Sequence, residues 1–370
     1  MKPFWIFCMM GLMYFQAQGQ GQQTAEAFFK NGNAKFEARK FADALKEYDQ
    51  AIVLDARNPD FYFRRAGTKS ILSDKAGAIS DYTKTIGLQA AYTYAYYGRG
   101  LLKSDAGDFS AAYSDFSKVI EQKPDMPEAL MQRGIASVKL KDFKSSVGDF
   151  EKALQLNAQL SDAWLYIGLA KYQLGDKSGS IEACSKKIEM KPDIDAYGYR
   201  GAAYYDQKDY KNAAKDFKKM TELSPKDEKA WYNLGLCHYN SADSALSIKD
   251  FTKATEINPS YAEAWYNLGN AKAKMEDNSH AIDAFTKAID IKPRYPEAFY
   301  NRANSKERTQ DYQGAILDFN KAIELKADYF SAYRLRGKLK AMIGDKEGAC
   351  ADYTAAGALA KDDFKFQHCK

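Results

Sequence analysis

Along Ala262 to Tyr295 the sequence reads AEAWYNLGNAKAKMEDNSHAIDAFTKAIDIKPRY. Apolar and small residues fall at Trp265, Leu268 and Gly269 and, after a polar break at Glu276 to Ser279, again at Ala281, Ile282, Phe285, Ala288 and Ile289. Helical spacing interrupted once predicts two short amphipathic helices joined by a tight turn. Gly269 and Ala281 are small where the two helices of such a hairpin must approach. Pro293 stands just past the second apolar set, where it prevents helix from continuing. One hairpin cannot bury both its faces, so the pattern predicts neighbours of the same kind.

The rest of the chain supplies them. With Gly269 as the register mark, the equivalent positions are Gly32, Ala66, Gly100, Gly134, Gly168, Gly201, Gly235, Ala303 and Gly337, 34 residues apart except for one step of 33. A bulky residue precedes each mark by one helical turn, from Phe28 and Tyr62 through Trp231 and Trp265 to Tyr333. The second helices carry an aromatic of their own, Tyr48, Tyr82, Phe116, Phe150, Phe217, Phe251, Phe285, Phe319 and Tyr353, with Cys184 in the fifth repeat. The reading is ten repeats: 25–58, 59–92, 93–126, 127–160, 161–193, 194–227, 228–261, 262–295, 296–329 and 330–363. The single missing residue lies between the fifth and sixth, where it either alters the local twist or is absorbed in a loop.

The pattern resembles the tetratricopeptide repeat family. Its signature positions are matched at Trp265, Leu268, Gly269, Ala281, Phe285, Ala288 and Pro293, while the family tyrosine is Lys272 in this repeat and Tyr204 in the sixth. The resemblance covers more than nine tenths of the chain. It implies an all-α, right-handed α-solenoid of about ten helix hairpins, each packing on its neighbours, with first helices lining a concave surface.

The opening stretch, MKPFWIFCMMGLMYFQAQGQGQQ, has one basic residue before an apolar run from Phe4 to Phe15. The run is too short to span a bilayer and predicts a cleaved secretory signal at 1–19, a leader at 20–24, and a tail at 364–370 after the repeats. Cys8 lacks the small residues that precede a lipidated cysteine. The expectation is export to the periplasm or cell envelope without membrane insertion of the mature chain.

Composition changes this picture little. Against 49 Asp plus Glu stand 54 Lys plus Arg, a formal charge of +5, with the two signs interleaved. A nucleic-acid surface would need a concentrated basic stripe, so no nucleic acid is expected.

One charged regularity stands out. Immediately before the register position lie Arg65, Arg99, Arg133, Arg200, Arg302 and Arg336, and in the same repeats the second helix carries Asp81, Asp115, Asp149, Asp216, Asp318 and Asp352. Where the first position is Ile167 or Leu268, the second is Ala183 or Ala284, and only the seventh repeat, with Leu234 and Asp250, departs from the rule. The covariation predicts a partly buried ion pair linking the helices of one hairpin, a role suited to a planar guanidinium.

Catalytic chemistry is otherwise missing from the pattern. His238, His280 and His368 are far apart, no phosphate-binding glycine loop occurs, and no Cys/His or Ser/His pair is brought together by the repeat. No enzyme, cofactor or metal is expected. Cys184 and Cys237 are expected as buried free thiols. The motif GACADYTAAG followed by a near-terminal cysteine is similar to the ending of exported bacterial repeat proteins, which implies a Cys350–Cys369 disulfide; the residues themselves leave two reduced thiols open.

In the family resembled, the residue after each bulky one faces the groove. Here these residues are Phe29, Phe63, Tyr97, Met131, Leu165, Gly198, Tyr232, Tyr266, Tyr300 and Arg334, with a second row at Tyr172, Tyr205 and Tyr239. Such a ladder suits a peptide or extended protein segment, while the alternative is packing between hairpins. The family's carboxylate clamp is incomplete: Asn270 and Asn301 fall at two of its places, but Tyr266, Ser331 and Leu335 occupy its basic positions. The expected function is a non-enzymatic scaffold binding a protein or peptide partner in a cell-envelope assembly. The alternative is a regulatory or substrate-presenting subunit of an envelope enzyme acting on glycan or peptidoglycan.

Overall fold

The computed structural model describes residues 24–360, and these contain twenty α-helices and no strand. The expected signal, most of the leader, the tail, Cys8, His368 and Cys369 lie outside the described residues. In order the helices are α1 (Ala25–Glu37), α2 (Phe41–Leu54), α3 (Pro59–Ile71), α4 (Lys75–Leu88), α5 (Thr93–Asp105), α6 (Phe109–Gln122), α7 (Pro127–Lys139), α8 (Phe143–Leu156), α9 (Ser161–Gln173) and α10 (Lys177–Met190). There follow α11 (Ile194–Asp206), α12 (Tyr210–Leu223), α13 (Glu228–Asn240), α14 (Ser244–Ile257), α15 (Ala262–Lys274), α16 (Asn278–Ile291), α17 (Pro296–Arg308), α18 (Tyr312–Leu325), α19 (Phe330–Met342) and α20 (Lys346–Ala360). The all-α class and the consecutive hairpins read from the sequence are both present. The chain divides after Leu174 into two compact segments. The first contains four complete hairpins and α9, the second α10 and five complete hairpins.

The turns explain the regular helix boundaries. Each hairpin turn holds one residue in the left-handed region, glycine at Gly107, Gly175 and Gly344 but Arg39, Ser73, Lys141, Lys208, Ala242, Glu276 or Gln310 elsewhere. The next residue is usually an aspartate that caps the second helix: Asp74, Asp142, Asp243 and Asp311 accept from the backbone N–H of Gly77, Ser145, Leu246 and Gly314. Such a cap satisfies a donor that the helix leaves unpaired and contributes about 1 kcal/mol. Between repeats, the Trp231 and Trp265 indoles donate to the carbonyls of Pro225 and Pro259 at 3.0 and 2.9 Å, fixing the incoming helix against the preceding turn.

The small register residue has a direct physical cause. A Cβ added at Gly269 would stand 2.6 Å from Cε1 of Phe285, and Gly134 is equally crowded by Phe150. The second-helix ring thus lies on first-helix backbone. Phe116, Phe150, Phe251, Phe285 and Phe319 are completely buried there, each contributing about 1.5–3 kcal/mol.

Charge ties the hairpins together. Arg65, Arg99, Arg133, Arg200, Arg302 and Arg336 each set Nε and Nη2 against both carboxylate oxygens of the aspartate in their own repeat, at 2.5 to 2.9 Å. The third nitrogen, Nη1, reaches back to the second helix of the preceding repeat, at Asp49, Thr83, Ser117, Ser185, Thr286 and Asn320. Each arginine therefore joins three helices rather than the two expected. The aspartates gain a second cation in four repeats, from Lys69, Lys103, Lys306 and Lys340 at 2.8 to 3.0 Å. The first repeat replaces the set with Lys35 on Glu47 at 2.5 Å.

The missing residue comes out of the turn between α10 and α11. Both helices keep their usual 14 and 13 residues, and Arg200 still donates to Ser185 at 2.9 Å across that turn. Locally, the loop absorbs the deletion.

Candidate functional site

The expected ladder residues lie on the first helices. In the first segment, Phe29 packs on Tyr48 and Phe61, Phe63 on Tyr82 and Tyr92, and Tyr97 on Phe116. In the second segment, Tyr232 lies between Phe251 and Tyr261, Tyr266 between Phe285 and Tyr295, and Tyr300 between Phe319 and Tyr329, with ring centroids 4.8 to 5.9 Å apart. Each of these three rings is thus packed between its own second helix and the tyrosine that closes its repeat, the residue just before the next first helix. All of the aromatic ladder residues are half-buried. Ring contacts of the kind the alternative reading of the sequence describes thus occupy every one of these aromatics.

Met131, Leu165 and Gly198 are also half-buried, while Arg334 is exposed. In the second row, Tyr205 packs edge-on against Tyr210, Tyr239 lies under the ammonium of Lys274 at 4.9 Å, and Tyr172 is half-buried in the first segment.

The polar tips of these tyrosines form the more regular feature. The amide of Asn267 donates to Tyr232 Oη at 3.0 Å, Asn301 to Tyr266 Oη at 3.0 Å, and Asn240 to Tyr205 Oη at 2.9 Å. Asn301 also donates to Asn270 Oδ1 at 2.8 Å, and Asn270 approaches Asn267 at 3.5 Å. Burial raises the Tyr232 and Tyr266 phenols above their ordinary range, against the smaller opposing effect of the asparagines, so both remain protonated at neutral pH. Each hydroxyl accepts from an asparagine and keeps its own proton to donate.

The asparagines escaped the sequence reading except at Asn270 and Asn301. Their signal was the dipeptide Tyr-Asn repeated at Tyr232, Tyr266 and Tyr300, whose second member, Asn233, Asn267 and Asn301, recurs with the period of the repeat. The stacking tyrosines Tyr92, Tyr261, Tyr295 and Tyr329 were also legible, since all four close a repeat.

A cavity of about 710 Å³ opens beside this row, lined by Tyr239, Asn270, Lys274, Asn301, Asn304 and Arg308 among others. Among the described residues no group of His, Cys, Asp and Glu could hold a metal ion, and no helix is long and apolar enough to cross a membrane. His238 contacts Asp250 and His280 contacts its own helix cap, Asp277. Cys184 and Cys237 are buried free thiols, with the Cys184 thiol pushed up to about 11 and the Cys237 thiol to about 12 by desolvation. Cys350 is disulfide-bonded; its expected partner Cys369 lies outside the described residues.

Comparison with known proteins follows the same pattern. Family models described as "Tetratricopeptide repeat" match residues 29–93 and 97–161, 262–295 and 296–329, and one described as "TPR repeat" matches 201–241 and 245–276. No curated protein matches the sequence. Among solved structures, a tetratricopeptide repeat protein from Parabacteroides merdae is 18% identical with a TM-score of 0.48, over 68% of this chain and 99% of that one. YrrB, titled a TPR protein with an unusual peptide-binding site, is 22% identical with a TM-score of 0.46, over 50% and 95%. MamA is 28% identical with a TM-score of 0.44, over 46% and 94%.

Proposed function

Because the chain belongs to the tetratricopeptide repeat family, whose arrays serve as protein-interaction scaffolds, we propose that it is a non-catalytic scaffold whose first-helix face binds an extended segment of a protein partner. The observation that carries this reading is the row of Asn233, Asn267 and Asn301 beside Tyr232, Tyr266 and Tyr300. A carboxamide offers one donor and one acceptor to a peptide group, so it can pair with backbone irrespective of sequence. Neighbouring helices lie about 10 Å apart and an extended chain rises about 3.3 Å per residue, so each repeat would meet roughly every third residue of a bound segment.

The place of action in this proposal is a cell-envelope assembly, supported by the apolar run Phe4 to Phe15 with its single preceding basic residue. Affinity capture from the native cell envelope tests both parts, with wild type beside a variant carrying Asn233→Ala, Asn267→Ala and Asn301→Ala. A protein partner lost only by the variant, at unchanged helix content, is the expected result. A partner held equally by both would remove function from this face, and retention of glycan in place of protein would favour a subunit that presents substrate to an envelope enzyme.

A further inference from the structure

The cavity beside the asparagine row carries more positive charge than its surroundings neutralise. Two cations line it, Lys274 at the end of α15 and Arg308 at the end of α17, against the single carboxylate of Glu276. Lys274 lies over the ring of Tyr239 at 4.9 Å. Arg308 has no ion-pair partner among the described residues, in contrast to the paired arginines inside the repeats. The acid next to it, Glu307, is held by Lys338 at 2.7 Å. Four amides complete the wall: Asn301 donates to Asn270, Asn278 donates to the Glu276 carbonyl, and Asn304 has no hydrogen-bond partner among the described residues.

Resting on the scaffold reading above, we infer that this cavity selects the partner by charge, taking the side-chain carboxylate of an aspartate or glutamate within the bound segment. A carboxylate accepts from up to four directions, and a guanidinium, an ammonium and a carboxamide N–H together supply donors of complementary charge. The cations stand at Lys274 and Arg308, the ends of their helices, while the basic positions of the family clamp are Tyr266, Ser331 and Leu335. The site therefore needs no free chain end. It recognises an acidic residue in the middle of an extended segment whose backbone is followed by Asn267 and Asn301. Both cations are exposed, so their contribution acts on selection between partners and weakens with salt.

The test is selection of random dodecapeptides displayed on phage through their C-termini, so that no free carboxyl terminus is present, against the full chain. Asp and Glu should be enriched over wild type, and the enrichment should vanish against a variant carrying Lys274→Met and Arg308→Met. A selected peptide resynthesised with Gln or Asn for its acids should bind roughly ten-fold more weakly, a difference that shrinks at high salt. Peptides selected without acidic bias, but lost when Asn233, Asn267 and Asn301 are changed to Ala, would overturn the charge inference and leave the scaffold reading in place. Acidic bias that survives the double methionine variant would also overturn it. Failure to select any peptide would overturn both.

Discussion

His238 sets Nδ1 2.6 Å from Oδ2 of Asp250, and this contact accounts for the one repeat that departs from the arginine rule. Leu234 removes the guanidinium, and the aspartate's partner stands one turn later at His238, the place that Lys69, Lys103, Lys306 and Lys340 hold in other repeats. Burial raises the Asp250 carboxyl above the ordinary aspartate range, with His238 opposing. The sign follows. An acid whose folded pKa is raised contributes stability below its unfolded value, and this contribution is lost as pH rises through the folded value. From about pH 4 upward, wild type should lose stability relative to Asp250→Asn. Urea unfolding at stepped pH measures the difference, and a flat or inverted one would mean that His238, not burial, dominates.

Removing an arginine alone should be costlier than removing it together with its aspartate. Asp318 is 4% exposed and holds Arg302 through two bonds, with Lys306 as its remaining cation. Arg302→Met leaves the aspartate with the half-buried Lys306 as its one cation and breaks the link to Thr286 in the preceding repeat, a loss of about 2–3 kcal/mol. Adding Asp318→Leu should recover most of it. A single-variant cost below about 1 kcal/mol in urea unfolding would mean that the pair is screened like a surface bridge.

The repeat was legible because packing against identical neighbours forces one pattern on every copy: the ring of Phe285 on Gly269 explains both signature residues at once. The arginine and aspartate were legible through their covariation inside a repeat. Their links between repeats were not, because the partner of Nη1 changes identity, from Asp49 to Thr83, Ser117, Ser185, Thr286 and Asn320, and keeps only its hydrogen-bonding capacity. The aromatic ladder came from the family resemblance, which does not say which side of a ring faces protein. Tyr261, Tyr295 and Tyr329 decide that, and they lie 29 residues along the chain from the rings they stack on, beyond the reach of helical periodicity.

The turns hold removable strain. Ala242 has φ of 61°, where an L side chain costs roughly 1 kcal/mol and glycine none. Because glycine also loses more backbone entropy on folding, Ala242→Gly should stabilise the seventh repeat by about 0.5 kcal/mol. Gly107→Ala, at φ of 82°, should do the reverse. Thermal unfolding of both variants checks the pair, and equal signs for the two would show that backbone conformation is not what selects glycine at this turn.

Tyr266 separates packing from recognition. Its ring lies 5.9 Å from Phe285 and 4.9 Å from Tyr295, and its hydroxyl accepts from Asn301 at 3.0 Å. Tyr266→Ala removes a half-buried ring from between two repeats and should cost about 2–4 kcal/mol, so weaker binding by that variant would report a loosened array. Tyr266→Phe keeps both ring contacts and should cost under about 1 kcal/mol, since the amide of Asn301 retains Asn270. In that variant only the hydroxyl proton offered to a ligand and the orientation of Asn301 are altered. Peptides selected on wild type should bind it several-fold more weakly at unchanged unfolding midpoint. Equal stability of the Ala and Phe variants would show that the ring does not join the repeats, and undiminished binding by Tyr266→Phe would exclude the hydroxyl and its asparagine from contact with the bound segment.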